Sequence, residues 1–248
     1  MSDDQKMEFD WLIVCALQIE AAAIARLLEN KQSIKISNIS VITGLIEADR
    51  VALLTTGPGQ KQVRQVLPLV LNEIQVSHLL NAGLCGGLLP ELSAGALIVP
   101  NEVIYEQGWT IPLLAPDEVI QKPFATGSLL TVIHPLHSRD SKEKAFADTS
   151  AQAVDMEAFF LAEIAQSRQL PLTVIKGVSD DALTEFPAEL IRVMKQDGGV
   201  HWSRLVKLIF SQPGMIVNLL RLQKSSRLAM QNVSGQLVKL FEQYSSHH

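Results

Sequence analysis

Three short, mostly apolar runs do most to restrict the fold: Trp11–Ala16 (WLIVCA), His78–Ala82 (HLLNA) and Leu172–Val178 (LTVIKGV). Each is too short for a stable helix and lacks polar alternation, so each reads as a strand buried on both faces. Segments with helical spacing lie between them. Glu20–Leu28 is alanine-rich, Gln60–Ile74 places Val63, Val66, Leu67, Val70 and Leu71 on one face, and Glu157–Ser167 is a further apolar helix. Pro68 should kink the second of these or start its second part. Strands alternating with helices predict an α/β chain. The expected form is a three-layer α/β/α sandwich with a central mixed, largely parallel twisted sheet.

Shorter elements fill in the pattern. Ile34–Ile36, Ile39–Thr43 and Val51–Thr55 read as a meander, and Leu97–Pro100, Val103–Tyr105, Ser128–Ile133 and Ala153–Asp155 as short strands. Ser138–Thr149 reads as a charged helix, Gly83–Gly87 as a glycine loop and Gly108–Lys122 as a surface excursion. From Ala188 the spacing is helical throughout. Pro213-Gly214 separates Trp202–Phe210 from Met215–Leu222, and a last helix runs to about Tyr244. No repeat or low-complexity linker divides the chain, so 1–248 is expected to form a single domain, with 188–248 as a helical C-terminal extension. That extension is apolar yet carries Arg204, Lys207, Arg221, Lys224 and Arg227. It reads either as a helical cap on the sheet or as an apolar surface for a greasy substrate or a membrane face.

Composition narrows the function classes. The chain has 248 residues, 47% hydrophobic and 19% charged, enough for a large core and too apolar for disorder. The net charge is −5 with no long basic run, which argues against nucleic acid as the main partner. The start, MSDDQKMEFD, is acidic and unlike a secretory signal, and no apolar stretch is long enough to span a bilayer. Cys15 and Cys85 sit in apolar or glycine-rich surroundings and read as reduced, buried thiols. A cytoplasmic location is expected.

Carboxylates stand where they serve the core poorly and a ligand well. Val154-Asp155-Met156-Glu157 opens a helix-periodic run, Val178-Ser179-Asp180-Asp181 closes a buried strand, and Glu20 follows another strand. Each has an alternative reading: Asp180 as a cap for the next segment, Glu157 and Glu20 as favourable charges in a helical first turn. Gly83–Gly87 can bring backbone N–H groups close to a ligand, but its spacing does not fit a dinucleotide-binding turn. His134 and His137, near Asp140, lack a third placed ligand and make a poor metal signature.

Taken together these segments resemble the nucleoside phosphorylase and nucleosidase superfamily, the group of methylthioadenosine/S-adenosylhomocysteine nucleosidases and purine nucleoside phosphorylases. The resemblance spans most of the chain to about residue 182. It rests on Ala16-Leu17-Gln18-Ile19-Glu20, Thr56-Gly57-Pro58-Gly59, Asn81-Ala82-Gly83-Leu84-Cys85-Gly86-Gly87-Leu88, Val154-Asp155-Met156-Glu157 and Ser179-Asp180, in the family's order. It implies cleavage of a purine nucleoside N-glycosidic bond. Asp180 would be the general acid that protonates the leaving base, Glu157 the clamp on the ribose hydroxyls and Glu20 the group that positions water. Met156, Asp155, Ser179, Gly83, Leu84, Gly86 and Gly57 would complete the substrate site. The purine would lie near Thr131 to Pro135, His134 included. No metal or organic cofactor is implied, and a homodimer is.

The departures are informative. Phosphorylases of this group place an arginine before the glycine loop and a serine within it, both on phosphate; here those positions hold Asn81 and Leu84. Phosphate would forgo charge-assisted hydrogen bonds worth about 1.5–3 kcal/mol each, which favours hydrolysis over phosphorolysis. Gly127-Ser128-Leu129-Leu130-Thr131-Val132 and the tail around Gln212-Pro213-Gly214 look more like the hopanoid-associated branch. That branch implies adenine release from a nucleoside whose 5′ substituent is a polycyclic lipid, as in adenosylhopane. The remaining alternatives are a phosphorylase and a non-catalytic nucleoside- or lipid-binding protein of the same fold.

Overall fold

A computed structural model describes residues 6–113, 125–185 and 215–245. Strands β1 (Met7–Cys15), β4 (Asp49–Thr55), β5 (Ile74–Gly87) and β11 (Leu172–Asp180) form a parallel centre in the order β4-β1-β5-β11. The meander strands β2 (Glu29–Ile36) and β3 (Ile39–Ile46) extend it antiparallel on one side. Beyond the upper half of β5 the sheet continues through β10 (Ala153–Asp155), β9 (Ser128–Thr131), β7 (Glu102–Tyr105) and β8 (Thr110–Pro112), while β6 (Leu97–Ile98) pairs with β11. The sheet is therefore mixed, parallel at its centre and antiparallel at its margins.

Alternation along β1 shows why both faces must be covered. Leu12 and Val14 join a core with Val63, Leu67 and Val70 of α2 (Gln60–Glu73) and with Phe159, Phe160 and Leu161 of α4 (Ala158–Ser167). Trp11, Ile13 and Cys15 point the other way, into a core with Ala21 and Ile24 of α1 (Gln18–Ile24) and Met230, Val233, Leu237 and Phe241 of α5 (Met215–Ser245). These are the outer layers of the predicted sandwich. Burial of each large aliphatic side chain is worth about 1.5–3 kcal/mol, so α5 is a structural layer, not an appendage. Pro68 lies inside an unbroken α2.

Two sequence expectations change. Gly83–Gly87 is not a loop. It is the end of β5, a strand of 14 residues whose glycines pair with β11 on one side and β10 on the other. Met215–Leu222 and the last helix are one element of 31 residues. The expected helix Trp202–Phe210 and the break at Pro213-Gly214 lie outside the described residues, as does most of the surface excursion. No helix among the described residues is long and apolar enough to cross a membrane.

The approach of α5 to the sheet depends on Gly177 in β11. A Cβ there would sit 2.8 Å from the Ala229 carbonyl oxygen and 2.9 Å from the Ala229 Cβ. At the other end of the helix, Phe241 and Tyr244 meet the Trp11 ring edge-on, and the Tyr244 hydroxyl lies 2.7 Å from His78 Nε2.

Candidate active site

The central parallel strands end together, and the carboxylates gather there, at the edge where open α/β sheets bind ligands. Glu20 is in the first turn of α1, just past β1. Its Oε2 accepts from the Ala16 and Leu17 N–H groups at 2.9 and 2.8 Å, and its Oε1 from Leu84 N–H at 2.8 Å. The carboxylate crosses to β5 only because position 83 is glycine: a Cβ there would lie 2.7 Å from Glu20 Oε1. Burial raises the Glu20 pKa, opposed by the Lys176 charge and the three N–H donors.

Glu157 begins α4 but does not cap it. Its carboxylate folds toward the turn after β4, where Oε1 accepts from Gly59 N–H at 2.6 Å and Oε2 from its neighbour Met156 N–H at 3.3 Å. Gly57 and Gly59 both have positive φ, 88° and 83°, which suits glycine and shapes this turn. Burial pushes the Glu157 pKa up to about 7, reinforced by Asp155 and opposed by Lys176 and Gly59.

Asp180 ends β11 just past a register shift between Val178 and Asp180, a bulge that re-aims the strand end. Ser179 Oγ donates to Asp180 Oδ1 at 2.6 Å and also lies 3.1 Å from the Cys85 carbonyl oxygen. Lys142 of α3 (Arg139–Thr149) reaches Asp180 Oδ2 with its Nζ at 2.6 Å. Beneath these groups Lys176 pairs with Asp155 at 3.0 Å, both almost fully buried. Burial pulls the Lys176 pKa down, but Asp155, Glu157 and Glu20 more than offset it, and the net direction is up.

Glu20, Glu157 and Asp180 line one cavity of about 300 Å³, the low end of the range for small-molecule sites. Asp155, Met156, Ser179, Leu84 and Gly86 line it too. Gly86 gives Asp180 room, since a Cβ there would be 3.3 Å from Oδ2. Four expected contacts are not on the wall. Gly83 and Gly57 lie behind it, where they admit Glu20 and shape the turn. Thr131 is fully buried, donating to Asp155 Oδ1 at 2.7 Å and accepting from Phe159 N–H at 3.0 Å, so it fixes the strand-to-helix turn. His134 is exposed; Val132, Pro135, Leu136 and His137 line the cavity in its place. A second cavity of about 460 Å³ shares Ser179, Asp180 and Leu222 with the first. Cys15 and Cys85 are free and buried, and burial raises both thiol pKa values. No group of three or more His, Cys, Asp or Glu among the described residues could hold a metal ion.

Sequence reasoning missed Lys142, Lys176, Leu222 and Ser226. Lys176 carried a signal: one lysine in a buried strand must find a carboxylate or stay costly. Lys142 carried none, because its helix shows no apolar stripe to orient it.

A sheet whose parallel strands converge on paired carboxylates over an apolar cavity defines an α/β small-molecule enzyme of acid–base type. The sequence model of the Phosphorylase superfamily matches residues 10–124 and 116–207, and the chain belongs to that family. It is 27% identical to a 5′-methylthioadenosine/S-adenosylhomocysteine nucleosidase of Buchnera aphidicola over 210 residues, 73% of this chain and 82% of the relative. Its fold is similar to that of a nucleosidase of the same name from Colwellia psychrerythraea in complex with adenine (TM-score 0.71, 17% identity, 96% of each chain). It is also similar to that of the futalosine hydrolase of Helicobacter pylori (TM-score 0.71, 15% identity, 96% of this chain and 98% of that one).

Proposed function

We propose that this enzyme hydrolyses the N-glycosidic bond of a 5′-modified purine nucleoside and releases adenine. The observation that carries the reading is the convergence of Glu20, Glu157 and Asp180 on one cavity. The Buchnera and Colwellia relatives are named as adenosine-derivative nucleosidases, which supports it. Glu20 uses its N–H partners to fix its carboxylate, and its raised pKa suits a group that takes a proton from water. Glu157 grips the ribose hydroxyls as an anion and opposes the charge developing on the sugar. Asp180, oriented by Ser179, gives a proton to the purine.

Asn81 donates to the Val14 carbonyl oxygen at 3.1 Å inside the sheet, and Leu84 presents a side chain without a donor to the cavity. Both support water as the nucleophile instead of phosphate. Leu17, Pro58, Leu84, Leu136, Met156 and Leu222 make the wall apolar, which supports a lipid at the 5′ position, as in adenosylhopane. The same reading makes the chain a single domain and a cytoplasmic homodimer. Exposed Leu220 and Leu228 of α5 would form the face that meets a membrane holding the lipid nucleoside.

The test is product analysis on purified protein with adenosine and with nucleosides bearing small thioether or long apolar 5′ groups. Free adenine and the corresponding free sugar, ribose from adenosine and the 5-substituted ribose from the others, are expected at equal rates with and without phosphate. Ribose 1-phosphate formed only with phosphate overturns hydrolysis, and absence of any base release sinks the enzymatic reading. A kcat/KM for long apolar 5′ groups no higher than for adenosine overturns the lipid assignment.

Protonation of Glu157 predicts opposite pH trends for activity and stability. The clamp works ionised, so kcat/KM should rise with pH through an apparent pKa near 7, the value to which burial pushes this group. The folded pKa lies above the ordinary carboxylate value, so the native state binds the proton more tightly than the unfolded chain. Stability of the empty enzyme is then highest below the unfolded pKa and falls as pH rises toward about 7. Glu157→Gln should flatten both trends, as read by kcat/KM and by the urea midpoint from pH 4.5 to 8.

A further inference from the structure

We propose that Lys142 is a positioning residue for the general acid: its ammonium takes up the negative charge that appears on Asp180 as the proton leaves for the base. This rests on the hydrolase reading above and adds to it a residue outside the motifs that carry the family resemblance. Lys142 is the one buried residue of α3, a helix that otherwise presents polar and half-buried side chains. Helices are usually held by an apolar stripe; here the anchor is a cation. Among the described residues its Nζ makes three hydrogen bonds, to Asp180 Oδ2 at 2.6 Å and to the carbonyl oxygens of Asp181 at 2.7 Å and Thr184 at 3.1 Å. An ammonium has three donors, and these contacts match that number. Two of them tie down the segment after β11, so the third is aimed at the acid. Ser179 holds the other oxygen of the same carboxyl group.

The step balances as follows. The proton on Asp180 passes to a purine nitrogen while the bond from that base to the anomeric carbon breaks, its electron pair going to the base. Water adds to the anomeric carbon and gives a proton to Glu20. Asp180 is left as a carboxylate beside a fixed ammonium, already aimed at it before the charge forms. Glu20 loses its proton to solvent and Asp180 regains one, which resets the site. Lys142 touches no reacting atom and acts only through Asp180.

A double-mutant cycle tests this directly. Lys142→Met should lower kcat for adenine release about 10²-fold in the wild-type background, with KM little changed. In the Asp180→Asn background the same substitution should change kcat less than about 3-fold, because the acid it serves is gone. Equal losses in both backgrounds mean a structural role and overturn the proposal, as does an unchanged kcat in the single variant. If the Met variant does not fold, Lys142→Gln, which keeps a donor without the charge, must show the same pattern. A wild-type enzyme that releases no base overturns the hydrolase reading, and this proposal with it.

Discussion

Asp180→Asn should lower kcat for adenine release about 10²–10⁴-fold, the usual contribution of a positioned general acid. Asparagine keeps the shape of the carboxyl group and can still bond to Ser179, but it has no proton to give. KM should change little, because the side chain's main interaction is made as the base departs. Lys142 would face an amide in place of a carboxylate, so some stability should also be lost. The assay should therefore be run well below the variant's melting point. The decisive comparison uses a riboside with 4-nitrophenolate as leaving group, which needs no protonation. The deficit should shrink toward unity with that substrate. A deficit of the same size with both would mean that Asp180 organises the site and does not supply the proton.

Lys176→Met should cost the most stability of any change in the site. Lys176 and Asp155 are both almost completely buried, and the lysine's neighbours include Glu157 and Glu20. Removing the cation leaves three carboxylates around an apolar side chain, held, among the described residues, only by neutral N–H and O–H donors. Breaking a buried pair from one side costs about 3–5 kcal/mol. For a chain of this size that is a fall of roughly 6–20 °C in Tm. Adding Asp155→Asn should recover much of the loss, since the amide oxygen can still accept from the Ala158 N–H while the amide NH2 takes the place of the oxygen that faces the Thr131 hydroxyl. Urea unfolding of both variants at constant pH measures this. If the single variant unfolds at the wild-type midpoint, the lysine is not what holds the carboxylates together.

The layered fold was legible because its signal is local. Trp11–Cys15 is apolar at every position, and that requires cover on both faces wherever the strand sits. The end of β5 was less legible. Asn81 to Gly87 has the composition of a loop, and it is extended only because β10 and β11 supply partners on both sides, which no window of sequence reveals. The three proposed catalytic carboxylates stood out as acids at element boundaries, and all line the cavity. Thr131 and His134 read as neighbours of the purine because the strand that leads to them ends beside the site. In a strand that ends beside the site, alternate residues face opposite ways: Thr131 points into the sheet and Val132 into the cavity. Lys142 was invisible because its partner lies 38 residues away, and nothing in a helix as polar as α3 marks one lysine as buried.

Trp11 in the first strand lies against Phe241 and Tyr244 near the end of α5. During synthesis that indole, with Ile13 and Cys15 beside it, emerges long before the helix that shelters it. A nascent chain must therefore carry a bare apolar sheet face until α5 has been made. Ser225, which donates to the Ser179 carbonyl oxygen at 2.5 Å, arrives in the same late segment. Intermediates in which α5 has not yet docked should then be catalytically silent, with turnover beginning only once it covers the sheet.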